Sequence, residues 1–141
     1  MITMMKKFFL VLGLLGMVTA CSLNDDDGAN LRLERLAVDS VDIPDTLVYG
    51  EQYSFPVSYT QPSDCYGFYG FNYGGQDSTR IIEVINSVST TMTCDSTAVV
   101  DTRDLDFEVR YENTYVFKFY QGVDASGDPI YLTKNVPVKR Q

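Results

Sequence analysis

The sequence predicts an all-β protein, an antiparallel β-sandwich of about seven short strands. Three observations carry that expectation. Apolar and polar residues alternate strictly over stretches of four to eight positions. Clusters of Gly, Pro, Asn, Asp and Ser separate those stretches. Beyond the N-terminal segment no stretch repeats its apolar residues at helical spacing. Alternation of this kind leaves one face for a core and one for water, which suits antiparallel sheets.

Leu31–Ile43 is a strand candidate rich in β-branched residues. Tyr53, Phe55, Val57 and Tyr59 share one face of the next strand, opposite Ser54, Pro56, Ser58 and Thr60. Residues 66–73 form an aromatic strand, and Arg80–Val88 is again β-branched. Phe107, Val109 and Tyr111 alternate with Asp106, Glu108 and Arg110. Tyr115, Phe117 and Phe119 alternate with Thr114, Val116, Lys118 and Tyr120. Ile130, Leu132, Val136 and Val138 share parity, interrupted by Lys134. The separators are Pro44-Asp45, Tyr49-Gly50, Gln61-Pro62-Ser63-Asp64, Gly74-Gly75, Glu112-Asn113 and the run 124–129. Pro56 and Pro137 each remove a ladder donor, which places their strands at edges or at bulges. The apolar face around Pro56 would otherwise suit a central strand.

The chain has 141 residues, 45% hydrophobic and 21% charged, which is globular composition for one domain. Eleven basic against 19 acidic side chains leave a net charge of −8, which argues against nucleic acid as partner. There is no histidine, so Ser-His, Cys-His and His-zinc sites are excluded together. There is no tryptophan either.

The N-terminus reads as a targeting segment. Lys6 and Lys7 precede an apolar run, Phe8–Val18, that is too short to cross roughly 30 Å of hydrocarbon. Small residues Thr19 and Ala20 follow, then Cys21. This is a secretory signal over residues 1–20, with Met4 or Met5 as alternative starts. Val18-Thr19-Ala20-Cys21 resembles the lipobox of bacterial lipoproteins. That resemblance implies cleavage before Cys21 and acylation of Cys21, palmitate included, with this covalent lipid as the only non-protein group and no cofactor. Two or three acyl chains would hold the protein stably on a membrane. Ser22 after the cysteine resembles the outer-membrane sorting class. Asp25, Asp26 and Asp27 resemble the surface-export signal of Bacteroidetes-type lipoproteins, implying display at the cell surface, with a periplasm-facing position as the alternative. Their simpler reading is a solvated spacer. Residues 21–30 then form an acidic tether and 31–141 the folded domain. Removal of the signal takes two lysines and no acids, so the mature chain is still more anionic.

With Cys21 lipidated, Cys65 and Cys94 remain. Export to an oxidising compartment makes an even pair a disulfide. Closing a loop of about 30 residues stabilises by roughly 3.5 kcal/mol on the chain-entropy model. A redox or metal-binding thiol pair is the rival reading, without CxxC spacing or histidine to support it.

Asn113–Phe119 resembles the start of strand F in immunoglobulin-like and fibronectin-like domains. The resemblance implies that Tyr115 is a corner tyrosine, its hydroxyl bonded back to the backbone. The core Cys…Trp…Cys arrangement of antibody domains is missing. Pro62-Ser63-Asp64-Cys65, the later Cys94 and Tyr115–Phe119 together also resemble a group of short bacterial lipoproteins with no known activity.

Three features bear on function. Five aromatics lie within eight residues: Tyr66, Phe68, Tyr69, Phe71 and Tyr73. Strict alternation puts Tyr69, Phe71 and Tyr73 on one face, Tyr66 and Phe68 on the other. Either both faces are buried, or one presents aromatic surface to a sugar ring or a partner. Asp101, Asp104 and Asp106 around Arg103 could gather oxygens for calcium, although neither they nor Asp124–Asp128 match a calcium-loop spacing, and solvated turns explain both. The acids Glu51, Asp64, Asp77, Glu83, Asp95 and Asp101 include no recognisable glycosidase pair. Nucleotide loops and nucleophile elbows are missing. The expectation is therefore a non-catalytic, membrane-anchored lipoprotein with no metal site, an accessory or protein-interaction module of the outer-membrane surface whose partner is an envelope protein or glycan. The alternatives are a carbohydrate-binding lipoprotein using residues 66–73 and a structural envelope component.

Overall fold

The computed structural model describes residues 30–141. The signal peptide, Cys21, Ser22 and Asp25–Asp27 lie outside the described residues. Every regular element described is a strand: β1 (Leu31–Leu36), β2 (Val38–Val41), β3 (Leu47–Val48), β4 (Gln52–Gln61), β5 (Tyr66–Gly74), β6 (Thr79–Ser89), β7 (Val99–Glu108), β8 (Tyr115–Val123), β9 (Pro129–Val136) and β10 (Val138–Lys139).

These ten strands replace the seven expected. The run Leu31–Ile43 reads as one strand by periodicity but breaks at Ala37, where the chain passes from one sheet to another. Leu36 and Val38 on either side are both buried, so the alternation continues across the break and hides it from the sequence. The two-residue strands β3 and β10 are too short to show a period. The fifth segment is also displaced: alternation centred it on 106–111, whereas β7 spans Val99–Glu108. Val109 extends its pairing through hydrogen bonds with Gly50 and Glu51.

The sheets are mixed, which corrects the expectation of antiparallel pairing throughout. One sheet has five strands and is centred on β6. Along one edge β6 pairs with antiparallel β5. Its other edge is divided: Val84–Ser89 pair with antiparallel β1, and Thr79–Ile82 pair with parallel β8. Strand β9 completes this sheet beside β8. A second sheet runs β2-β4-β7, and β3 and β10 form a short parallel pair. A two-residue period states which side chains share a face but not the direction of the neighbouring strand, so the parallel pairs could not be read from alternation.

Strand β4 is central although it contains Pro56. The Pro56 carbonyl accepts from the Asp42 N–H at 3.0 Å, just past the end of β2. In an antiparallel ladder a residue's N–H and C=O face the same neighbour. The missing donor therefore points to where β2 has run out, and no β4–β7 bond is lost. Pro137 sits in the break between β9 and β10.

The core lies where the five-stranded and three-stranded sheets meet. Phe107 of β7 packs edge-on against Tyr115 and Phe117 of β8, with centroids 5.0 Å away in both cases. Phe55 of β4 meets Phe117 at 5.6 Å. These rings supply the volume that tryptophan gives other domains, at roughly 1.5–3 kcal/mol of burial each. The Tyr115 hydroxyl, fully buried, accepts from the N–H groups of Arg110 and Tyr111, each at 3.0 Å. Tyr53 repeats the device, accepting from the Val48 N–H five residues upstream at 3.0 Å.

Cys65 and Cys94 form the disulfide, with Cα atoms 5.5 Å apart. The bridge ties the start of β5 to the loop between β6 and β7. Beside it the Asp95 N–H donates to Asp64 Oδ1 at 2.8 Å.

Candidate binding face

The aromatic segment becomes β5, but its faces differ from strict alternation. Phe68 pairs with Asn86 and Gly70 with Ile85, so Tyr69 is an extra residue bulged out of the ladder. The bulge reverses the parity of everything after it. Tyr66, Phe68 and Phe71 all pack against the core. Tyr73 lies opposite the buried Ile82 on that same side, exposed at the open end of the sheet. Tyr69 alone turns outward and is 67% exposed. The five aromatics therefore form an inner wall and one outer ring.

Around that ring the outer face of the five-stranded sheet forms a groove of about 400 Å³. Its walls include Leu33 on β1 and Tyr69 on β5, with Ile85 of β6 between them. Leu33 is 55% exposed. Gly70 adds no side chain, and the space a Cβ would enter there is empty. Small-ligand sites commonly enclose roughly 300–1,000 Å³.

A polar network closes one side. Arg35 Nη1 donates to Glu83 Oε1 at 2.7 Å, and Asn72 Nδ2 donates to Glu83 Oε2 at 2.6 Å. Glu83 is buried although it points away from the core, because Arg35 and Asn72 on the flanking strands cover it. Burial pushes the Glu83 carboxyl up, but hydrogen bonds from Asn72 and Arg35 and the Arg35 charge outweigh it and hold the group below its usual range. The Arg35 guanidinium also lies over the Tyr120 ring at 4.6 Å. Glu34 also borders the groove, but it lies opposite the buried Asn86, so its carboxylate is on the inner side of the sheet, where Oε2 accepts from Arg32 at 2.8 Å and Oε1 from the Tyr66 hydroxyl at 3.2 Å. The groove is thus electrically balanced on a chain of net charge −8.

Of the aromatic residues singled out by sequence, only Tyr69 reaches this groove through an outward side chain. Leu33, Arg35, Asn72 and Ile85 were missed, because only the pairing of β1, β5 and β6 brings them together. Glu83 carried a signal, a lone charge inside the apolar run Ile81–Ile85.

The other candidates fall apart or are already committed. Asp101 faces the core side of β7, opposite Tyr59, whereas Asp104 and Asp106 face outward opposite Pro56 and Ser54. Period two therefore separates the three oxygens proposed for calcium. Asp101 accepts from the Tyr59 hydroxyl at 2.6 Å and from Arg103 Nε at 2.9 Å. Burial raises the Tyr59 hydroxyl, and the adjoining Asp101 charge adds to it, to about 12. Asp124 accepts from the N–H groups of Ser126 and Asp128, an ordinary turn. Asp64, Cys65 and Cys94 lie within 4.8 Å of one another, but both sulfurs are spent in the disulfide. Glu51 accepts from Gln141 Nε2 at 2.6 Å, and Asp77 sits in a turn with φ of 51°.

No protein-family model, curated protein or solved structure matches this chain.

Proposed function

We propose that this chain is a lipid-anchored, non-catalytic binding module of a bacterial outer-membrane surface, and that it binds through the outer face of its five-stranded sheet. The anchoring rests on the lipobox-like Val18–Cys21 and the acidic residues after it. The binding role rests on one observation, the groove beside Tyr69, where apolar side chains stand exposed next to a prearranged polar network. A domain with no further use for that face would gain solubility from polar residues there. We read the architecture as a β-sandwich of immunoglobulin-like type. Ring contacts between the two sheets and the backbone bonds of Tyr115 support that reading.

The test is photo-cross-linking in intact cells. A photoreactive residue at position 69 is expected to capture one stoichiometric envelope component. The same residue at Asp104, on the outer face of the other sheet, is expected to capture none. Cys21→Ser should move the protein out of the membrane fraction. Equal capture at both positions, or none at either, overturns the binding face; unchanged membrane partitioning of Cys21→Ser overturns the anchor.

A further inference from the structure

The geometry points to an uncharged sugar ring as the ligand of the Tyr69 groove. This deepens the reading of that face as the binding face and rests on it.

A pyranose has two kinds of surface, an apolar C–H face and a rim of hydroxyls. The groove offers the complement of each. Tyr69 presents an exposed ring, and Ile85 and Leu33 continue the apolar surface beside it. Gly70 leaves the approach to the backbone open. At the side stand planar groups suited to paired hydroxyls. The Arg35 guanidinium has five N–H donors, of which Glu83 takes one through Nη1. Asn72 spends its Nδ2 on Glu83, which leaves the carbonyl Oδ1 to accept. Both groups are held before any ligand arrives, Arg35 between Glu83 and the Tyr120 ring and Asn72 by Glu83. Pre-arranged donors bind at a lower cost in lost side-chain freedom.

Charge decides which sugar. The one guanidinium that lines the groove, Arg35, is matched by Glu83, so the lining holds no spare cation for a uronate, sulfate or phosphate. The surrounding chain, at net −8, repels anionic polymers further. Between neutral and anionic glycans, the neutral ones meet both conditions.

The experiment uses the full-length lipidated protein in detergent micelles and affinity electrophoresis through gels containing single polysaccharides. Mannan, xylan and dextran serve as neutral probes, alginate and polygalacturonate as anionic ones. At least one neutral polymer should retard the protein and the anionic ones should not. Tyr69→Ala and Gly70→Val should each weaken retardation by about tenfold, the loss of one good contact. Tyr49→Ala removes an exposed tyrosine outside the groove and should change nothing. Thermal unfolding checks that the groove variants fold, as the exposure of Tyr69 and the open space at Gly70 lead one to expect. Retardation that survives both groove variants, or a preference for the anionic polymers, overturns the assignment. If no neutral polymer retards the protein while position 69 still cross-links to an envelope protein, the sugar is wrong and the binding face stands. If position 69 captures nothing either, the face itself is wrong.

Discussion

Tyr59 shows how one side chain serves both packing and charge. Its ring is fully buried between the sheets, and its hydroxyl ends on Asp101. A phenol in that position loses stability when it ionises, since the new anion would be buried beside a carboxylate. The folded-state value, about 12, lies above the ordinary 10.0, so the fold prefers the protonated form. That contribution is complete below pH 10 and is lost as pH rises through 12. Glu83 works in the opposite sense. Its folded-state value is lowered, so its contribution is present above the ordinary carboxylate range and is lost as pH falls through the lowered value. Stability should therefore decline at both ends of the pH scale. Denaturant titrations at pH 7, 10 and 12 check the alkaline limb, and Tyr59→Phe should flatten it. Neither pairing was legible in the sequence, because Tyr59 and Asp101 lie 42 positions apart.

At the scale of the element, β5 is the instructive case. Its existence was legible from aromatic content and flanking glycines, but its faces were not. One extra residue, Tyr69, exchanges inside for outside along the rest of the strand. Bulges are chosen by the partner strand: β6 supplies Asn86 and Ile85 as consecutive partners to Phe68 and Gly70. A deletion tests this directly. Removing Tyr69 should leave Phe68 and Phe71 facing the core and cost less than about 1 kcal/mol, the range of changes outside the core. Removing Asn72 would turn Tyr73 away from its inward side and break the Glu83 network. Urea unfolding of the two deletion variants should rank them in that order, with groove binding lost in the first.

For the whole molecule the disulfide is the main covalent constraint among the described residues, its cysteines 29 positions apart. Cys65→Ser with Cys94→Ser should lower stability by about 3–4 kcal/mol, read as a shift in the urea midpoint. Reduction of the unmodified protein should reproduce the shift. The sequence by itself determined the all-β class, the turns, the positions of β4, β5, β6 and β8 within a few residues and the Cys65–Cys94 pair. Each depends on local periodicity, local turn chemistry or elimination, and none needs a distant partner. Tertiary structure alone decided strand direction, the divided edge of β6, the break at Ala37 and the bulge at Tyr69. It also decided the groove, whose residues come from β1, β5 and β6, 52 positions apart from Leu33 to Ile85. Period two specifies which side chains share a face of one strand. Which strands lie side by side is set by how the two sheets bury their rings together, and that is a property of the folded chain.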